Sequence, residues 1–527
     1  MLRTIQLNVL VACISIVACQ TTVTIETPSG KITGLKHSKV IGTQTYNYNE
    51  FRRIPFAKPP VGNLRFQKPV KYGSWNDTLN ATYFGASCYQ HSPSRFINIF
   101  LPNKTLSEDC LILNVYVPTD TSSTGKKAVM IWIHGGSYLT GTGMLYDGAY
   151  LASIGQVIIV TINYRLGVFG FMSIGNGTMT GNYGIWDQRM AIEWVHDNIE
   201  SFGGDVNNVT IFGESAGGFS VALHSIIPQN KGLFHRVIAQ SGTAISFASM
   251  QYNLTYWSNR LVETLKCKSS QQSVEIDCLK QKSAVEVQQA FHYLDHLPEH
   301  DPHIFLTFAP RVDGELFTDL PKTLLNNKSS KAYAFFRSLD MIVGNVDSEG
   351  SLLLSPVGKF QKQYGFNIDV GIPRSVLCDH LAPTMALDIY SNNSKVAPAV
   401  CKKYGYSMGL YKSMYSVDYY SDLYFYSKTV NTLNIHSDGN PSARSFQYLS
   451  KKRTILSPLI PLWFDGPGHT SEIPLLFPFY NFISKKSEDF ILSMAMMRYW
   501  TNFAKYGYVY YLQVYLNMGM FIIYKFI

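Results

Sequence analysis

The strongest constraint on the fold is a run in which a strand pattern, a G-x-S-x-G pentapeptide and a helix pattern follow one another directly. The apolar run NVTIFG spans 208–213, the pentapeptide is GESAG, and the helical pattern FSVALHSII spans 219–227. This order is the context of a nucleophile elbow, in which a strained turn exposes the serine Oγ above a sheet. Gly213 and Gly217 leave room for strand and helix to approach closely. The sequence therefore predicts that Ser215 is a nucleophile.

Apolar runs and helix patterns alternate around this element, as in an α/β protein. KAVMIWIHGG (127–136) and QVIIVTINY (156–164) are typical of buried strands, and DQRMAIEWVHDNIESFGG (187–204) predicts an amphipathic helix with a Gly-Gly stop. The 527 residues are 46% hydrophobic, which suits a large globular core. Because no linker, charge block or repeat divides the chain, we expect one large domain.

The composition also excludes several classes of function. The net charge is +9, but the 45 lysines and arginines are scattered without a basic run or an interleaved aromatic platform, so we expect no nucleic-acid partner. None of the cysteines has the spacing of a zinc cluster, so we expect neither a metal nor a cofactor. The expected partner is a small-molecule substrate.

Residues 1–19 have the pattern of a secretory signal peptide. Arg3 supplies the positive charge, Leu10 to Ala18 form an apolar core, and small residues surround Cys19. A membrane anchor is the alternative, but the apolar run is short for a span. We therefore expect cleavage near Cys19, no membrane association, and a protein that is secreted or lies in the lumen of the secretory pathway.

Six cysteines remain after that segment, and an even number in a secreted chain indicates disulfides whose pairing the sequence leaves open. They are Cys88, Cys110, Cys267, Cys278, Cys378 and Cys401. With secretion, the N-x-S/T sequons become expected glycosylation sites. The sequons begin at Asn76, Asn80, Asn103, Asn176, Asn208, Asn253, Asn327 and Asn392.

An acyl-transfer site also needs an oxyanion hole, a base and an acid. The glycine-rich loop IHGGSY has the form that supplies oxyanion-hole donors, so the candidates are the N–H groups of Gly136, Ser137 and Ala216.

The acid and the histidine should follow the serine in that order. Three histidines lie late enough, His380, His436 and His469. The Gly/Pro-punctuated loop around His469 favours it over its main rival, His436. Glu349 and Asp347 both follow the short apolar strand at 341–343, and either carboxylate could orient the imidazole.

Three long segments resemble the type-B carboxylesterases, a family that includes the cholinesterases. The matching segments are 54–69 (IPFAKPPVGNLRFQKP), 107–118 (SEDCLILNVYVP) and 181–218, which ends in the GESAGG motif. The resemblance extends from about Ile25 to Gly507, and within the family it is strongest to gut-type invertebrate carboxylesterases.

This resemblance implies an α/β-hydrolase fold over residues 20–507, with a central, mostly parallel mixed sheet flanked by helices and an active-site gorge. The family's "EGS" context selects Glu349 as the acid, and its "E-I-P" context selects His469. Glu214 resembles an auxiliary acid beside the nucleophile. The family pattern also implies the disulfides Cys88–Cys110 and Cys267–Cys278, with Cys378–Cys401 matching less directly, and the structural ion pairs Arg165–Asp187 and Arg65–Glu108.

Departures from the family pattern bear on the substrate. Ser137 replaces the usual third glycine of the oxyanion loop, which we expect to alter rate or acyl preference. Phe100 stands where cholinesterases have a tryptophan that holds a quaternary ammonium. Besides Glu214, which is also predicted to belong to the pocket, the other predicted pocket residues are aliphatic, namely Ile304, Leu306, Leu352 and Leu353. These residues favour uncharged carboxylic esters over acetylcholine.

The predicted function is a serine carboxylesterase that acts through an acyl-enzyme. The alternatives are an acetylcholinesterase-like choline esterase and a non-catalytic, cholinesterase-like adhesion protein. Residues 508–527 form an atypical apolar tail, for which a gene-model artefact is favoured over a membrane segment. We expect a fold with that tail to lack the last elements of the family.

Overall fold

The fold is seen in a computed structural model that describes most of the chain. The described residues are 21–90, 101, 103–120, 125–174, 177–251, 254–295, 306–354, 358, 361–390, 393–404, 414–439, 442–454, 464, 466–478, 487–509 and 521–526. The predicted signal peptide, Phe100 and Ile304 lie outside these residues, as do the sequons at Asn176, Asn253 and Asn392.

Among the described residues, twelve strands form one central sheet and two short strands form a second sheet. In chain order the strands are β1 Thr22–Thr27, β2 Gly30–Ile41, β3 Gln44–Pro55, β4 Leu79–Asn80, β5 Ser87–Cys88, β6 Leu106–Ser107, β7 Ile112–Pro118, β8 Lys127–Ile133, β9 Ile158–Ile162, β10 Gly204–Glu214, β11 Arg236–Gln240, β12 Asp340–Val346, β13 Ser445–Ser450 and β14 Phe521–Phe526. The order in the large sheet is β1-β2-β3-β7-β9-β8-β10-β11-β12-β13-β14, with β4 beside β2.

The middle of the sheet is parallel and its flanks are antiparallel. All pairs from β9 through β8, β10, β11 and β12 to β13 are parallel. The pairs β1–β2, β2–β3, β3–β7, β7–β9 and β13–β14 are antiparallel. A mixed, largely parallel centre with helices between its strands confirms the predicted fold class.

Helices connect and cover the strands. The α-helices are Ala149–Gly155, Gly167–Phe171, Tyr183–Asn198, Ala216–His224, Leu254–Thr264, Gln272–Gln281, Ala284–Asp295, Pro321–Asn326, Lys331–Phe336, Gln361–Tyr364, Ala382–Tyr390, Val396–Tyr404, Met414–Tyr420, Ser427–Ser437, Ile473–Leu476 and Glu488–Tyr506. Short 3₁₀ helices lie at Gly62–Leu64, Gly143–Leu145, Ile199–Phe202, Pro228–Asn230 and Glu349–Leu353, and π-helical turns lie at Val376–Leu381 and Ser421–Tyr426.

The sheet is buried on both faces, as the alternation along β8 shows. Ile131 and Ile133 belong to the larger of two hydrophobic cores, whereas Trp132 between them belongs to the smaller one. Successive side chains of a strand point to opposite faces, so one core lies on each side of the sheet. A strand buried on both faces needs a continuous apolar run, which is the pattern that the sequence has here.

The helix predicted at 187–204 begins earlier than expected. It spans Tyr183–Asn198 and is followed by the 3₁₀ turn Ile199–Phe202. Its first turn, at Tyr183 to Ile185, is buried and so lacks the polar face on which an amphipathic pattern depends. Gly203, with φ 81°, ends it as predicted.

In the part of the chain that the structure describes, there are three disulfides and both of the ion pairs that the family pattern implies. The disulfides are Cys88–Cys110, Cys267–Cys278 and Cys378–Cys401. Arg165 donates two 2.7 Å hydrogen bonds to Asp187, and Arg65 donates two to Glu108, at 2.7 and 2.5 Å. These bidentate pairs join distant segments of the chain, which suits a structural role.

Part of the segment 508–527 belongs to the central sheet. Its residues Phe521–Phe526 form β14, which pairs in antiparallel register with Ser445–Ser450. The segment therefore adds a strand beside β13, instead of standing apart from the domain. In the portion of the chain that the structure covers, each helix is too short or too polar to cross a membrane.

Candidate active site

Ser215 lies in a strained turn between β10 and the helix Ala216–His224. Its φ is 57° and its ψ is −121°, a conformation that non-glycine residues rarely adopt. Its N–H donates to the carbonyl oxygen of Gln240 at 2.9 Å, which ties the turn to the end of β11. This is the geometry of a nucleophile elbow.

The two glycines of the elbow are required by close backbone contacts. A Cβ on Gly213 would lie 2.5 Å from the carbonyl oxygen of Ile133 and 2.6 Å from the backbone of Gly217. A Cβ on Gly217 would lie 2.9 Å from the carbonyl carbon of Ile133 and would overlap its oxygen. Strand and helix can meet at this angle because neither glycine carries a side chain.

His469 and Glu349 meet near the same edge of the sheet. The Nδ1 atom of His469 lies 2.6 Å from Oε2 of Glu349, and both side chains are buried. Glu349 follows β12 and begins a 3₁₀ turn. A backbone bridge between Ser348 and Gly468 brings the two loops together, although 120 residues separate the acid from the histidine.

The second oxygen of Glu349 is held by three donors. Oε1 accepts hydrogen bonds from Ser241 Oγ at 2.5 Å, from the N–H of Val346 at 3.0 Å and from Asn345 Nδ2 at 3.2 Å. These bonds fix the carboxylate, so that Oε2 is directed at His469 and can accept the imidazole Nδ1–H.

The other imidazole nitrogen faces Glu214. Nε2 lies 3.3 Å from Oε1 of Glu214, and within the described residues neither atom has a hydrogen-bond partner. Burial lowers the pKa of His469, but the Glu214 and Glu349 carboxylates outweigh it and raise that pKa to about 9. Burial also raises the pKa of Glu214 well above its usual value. The titrations of the two groups therefore depend on each other, because Nε2 of His469 faces the Glu214 carboxyl group.

The three backbone N–H groups predicted to form an oxyanion hole are free of other acceptors in the described part of the chain. Within the described residues, the N–H groups of Gly136, Ser137 and Ala216 donate no hydrogen bond. Gly135 packs on the elbow, since a Cβ there would lie 3.1 Å from Cβ of Ser215. Unused backbone donors that border a nucleophile can stabilise a developing oxyanion.

The loop that carries two of these donors has an uncommon backbone conformation. Gly136 has φ 106°, and Ser137 and the following Tyr138 have φ 57° and 58°. The usual third glycine would adopt such a conformation without strain, whereas a serine does not. Ser137 therefore introduces strain into the loop backbone, but it still provides a backbone N–H group at this position.

A small cavity borders the serine, and its walls are almost entirely apolar. Its lining residues are Ser137, Ser215, Ala216, Phe219, Ala248, Leu306, Leu352, Leu353, Tyr424 and Phe425. It thus includes Leu306, Leu352 and Leu353 of the predicted pocket. Glu214, which faces His469, is absent from this lining.

The rival candidates lie away from this cluster. Asp347 is exposed, and its N–H bonds to Ser450 of β13. His436 is buried between Ser445 Oγ, at 2.7 Å, and the carbonyl oxygen of Leu339, at 2.9 Å, which is a structural environment. His380 is an exposed residue that stacks on a tyrosine ring.

Sequence reasoning missed a buried polar group behind the site. Glu472 is fully buried three residues after His469, and its Oε1 receives contacts from Gln240 and Tyr448. Ser241, the hydroxyl that holds Glu349, was also missed. The "SEIP" context drew attention to Glu472 as part of a pattern, but no spacing rule assigns it a partner. Within the described part of the chain, no cluster of histidine, cysteine, aspartate or glutamate side chains is arranged to hold a metal ion.

Comparisons with known proteins agree with this geometry. The model of the Carboxylesterase family matches residues 20–512. Bile salt-activated lipase of Bos taurus is 34% identical over 471 residues, which cover 87% of this chain and 75% of the lipase. Liver carboxylesterase 1 of Oryctolagus cuniculus is 33% identical over 474 residues, covering 87% of this chain and 81% of the relative.

A third relative is the cholinesterase of Mus musculus, which is 39% identical over 344 residues, or 63% of this chain and 54% of that protein. The match to the family model extends over nearly the whole chain and confirms the resemblance noted in the sequence. The chain therefore belongs to the carboxylesterase family and is a carboxylic ester hydrolase.

Proposed function

We propose that this protein is a secreted serine esterase that hydrolyses uncharged carboxylic esters through an acyl-enzyme. The observation that carries the proposal is the meeting of a strained serine, a buried histidine–glutamate pair and three unused N–H donors at one edge of the sheet. These are the parts that nucleophilic acyl transfer needs.

In the first half of the reaction, Ser215 Oγ attacks the ester carbonyl carbon and its proton passes to Nε2 of His469. The carbonyl oxygen becomes an oxyanion that accepts hydrogen bonds from the oxyanion site. Glu349 accepts the Nδ1–H and stabilises the imidazolium. His469 then returns the proton to the departing alkoxide, which leaves as the alcohol. A serine–imidazole hydrogen bond that is long without substrate commonly tightens once substrate binds.

In the second half, water replaces the alcohol. It loses a proton to Nε2 while its oxygen attacks the acyl carbon, and the oxyanion forms in the same place. Collapse breaks the bond to Ser215 Oγ, which recovers its proton from the imidazolium, and the carboxylic acid leaves. No metal or cofactor enters either half.

The apolar cavity supports an uncharged acyl group as the substrate. None of its lining residues carries a charge, and Leu306, Leu352 and Leu353 make part of its wall aliphatic. Three disulfides support secretion, because such bonds persist in oxidising compartments.

Replacement of the nucleophile tests the proposal. Ser215→Ala should reduce hydrolysis of p-nitrophenyl butyrate to the rate of the solvent blank. Ser225→Ala is a matched control, since Ser225 is a buried serine whose hydroxyl donates to the carbonyl oxygen of Ala222, away from the site. Full activity of Ser215→Ala would refute the mechanism.

Two further measurements separate the alternatives. Stoichiometric labelling by an organophosphate requires an activated serine and would exclude a non-catalytic adhesion protein. Butyrylcholine has the acyl group of the nitrophenyl ester but a cationic alcohol. A higher kcat/KM for an uncharged alkyl butyrate than for butyrylcholine is expected, and the reverse order would favour the choline-esterase alternative.

A further inference from the structure

Gln240, the last residue of β11, contacts three parts of the site from behind. Its carbonyl oxygen accepts the N–H of Ser215 at 2.9 Å. Its side-chain Oε1 accepts the indole N–H of Trp500 at 3.0 Å, and its Nε2 lies 3.3 Å from Oε1 of Glu472. All four residues are buried, so these contacts are made without competition from bulk water.

The chemistry of Trp500 fixes which way the Gln240 amide faces. An indole N–H can only donate, so it selects the amide oxygen and turns the amide NH₂ toward Glu472. Two donors then converge on Oε1 of Glu472, because the Tyr448 hydroxyl lies 3.2 Å from the same atom. Donors directed at a carboxyl group favour its ionised form over its protonated form.

We propose that Gln240 is a positioning residue, oriented by Trp500, that holds Glu472 as a carboxylate behind His469 and thereby supports the imidazolium formed during catalysis. This inference rests on the proposed serine-esterase function. Under this proposal, the helix Glu488–Tyr506, which carries Trp500, supports catalysis by orienting Gln240 and does not touch substrate.

Burial, neighbouring charges and hydrogen bonds together set the pKa of Glu472. Burial raises the pKa of Glu472 to about 7, with a further contribution from Glu349, while His469 and the Gln240 hydrogen bond oppose the rise. Glu472 in turn adds to the carboxylates that raise the pKa of His469, the larger contributions coming from Glu214 and Glu349. The Gln240 hydrogen bond thus acts in the direction that favours the ionised form of Glu472.

Trp500→Phe tests the orientation directly. Without the indole N–H, the Gln240 amide can rotate so that its oxygen accepts an O–H from a protonated Glu472. The loss of that negative charge should move the acid limb of the kcat/KM–pH profile to lower pH by roughly one unit. In the Glu472→Gln background, Trp500→Phe should produce no further shift.

The remaining variants separate positioning from packing. Tyr448→Phe removes the second donor to Glu472 and should also move the acid limb of the kcat/KM–pH profile to lower pH. It therefore provides the test if Trp500→Phe is unstable. Trp132→Phe is the matched control, because Trp132 is equally buried in the same core but its indole N–H has no partner among the described residues. It should leave the limb in place.

Active sites are titrated with an organophosphate in every preparation, so that loss of folded enzyme is not read as loss of rate. An unchanged limb in both Trp500→Phe and Tyr448→Phe would overturn the proposal. So would an equal Trp500→Phe shift with and without Glu472. Failure of the serine mechanism itself would instead be seen as full activity in Ser215→Ala, a separate result.

Discussion

Gly217→Ala is a substitution for which helix propensity predicts a gain in stability, whereas tertiary packing predicts a loss. Gly217 lies in the first turn of the helix Ala216–His224. In an isolated helix, alanine in place of glycine is stabilising by about 1 kcal/mol. In this structure, the added Cβ would lie 2.9 Å from the carbonyl carbons of Ile133 and His134 and would overlap the oxygen of Ile133.

The backbone of Ile133 cannot shift away from a Cβ added at Gly217. Ile133 ends β8, which is paired with β9 on one side and with β10 on the other, and it lies opposite Gly213 in the register. Overpacking a well-ordered core costs about 1–3 kcal/mol and sometimes more, and contact with a central strand lies at the high end. After the gain in helix propensity is subtracted, we expect a net loss of about 2 kcal/mol, or roughly a thirtyfold change in the folded-to-unfolded ratio.

Thermal inactivation and active-site titration measure this effect together. Gly217→Ala should lose activity at a lower temperature than the natural protein, and a smaller fraction should react with an organophosphate. Gly125→Ala is the control, since among the described residues no heavy atom other than those of its chain neighbours lies within 4 Å of the added Cβ. A Gly217→Ala protein that is fully titratable and at least as stable as the natural protein would refute the steric account of the elbow.

Two further predictions follow from the charges and the disulfides. Glu214→Gln removes a negative charge that raises the pKa of His469, so the imidazole should become neutral, and therefore basic, at a lower pH. The acid limb of kcat/KM should move down accordingly, and an upward shift would contradict this electrostatic role. Replacing Cys88 and Cys110 together by serine opens a loop with a sequence separation of 22 and should lower the free energy of unfolding by about 3 kcal/mol. Denaturant unfolding under non-reducing conditions measures this change, and equal midpoints would contradict it.

The parts of the site that could be predicted from sequence are those encoded by contiguous residues. Ser215 was identified because a buried strand, two glycines and a helix adjoin it, and each has its own local pattern. Glu349 and Asp347 could not be separated this way, because two carboxylates spaced by one residue are chemically equivalent in a sequence. The fold separates them, since Glu349 begins a buried 3₁₀ turn while Asp347 faces outward.

The polar group behind the histidine was out of reach of such patterns. The contacts of Gln240 with Glu472 and Trp500 span 232 and 260 residues. They exist because β11, the loop after His469 and the C-terminal helix come together around one face of the sheet. No sequence periodicity predicts which residue a buried glutamate, glutamine or tryptophan contacts. These contacts are therefore seen only in the folded structure.

Ser137 shows how a departure in sequence can preserve a function of the backbone. Oxyanion stabilisation uses N–H groups, whose directions depend on φ and ψ and not on the side chain. A serine at φ 57° costs roughly 1–2 kcal/mol relative to an ordinary conformation. The loop holds that strain through hydrogen bonds from the N–H groups of Leu139 and Thr140 to Gly136 and from Gly167 to Tyr138. Because these three backbone hydrogen bonds fix the turn on both sides of Ser137, the missing glycine affects the stability of the loop and the shape of the cavity wall more than the N–H donor itself.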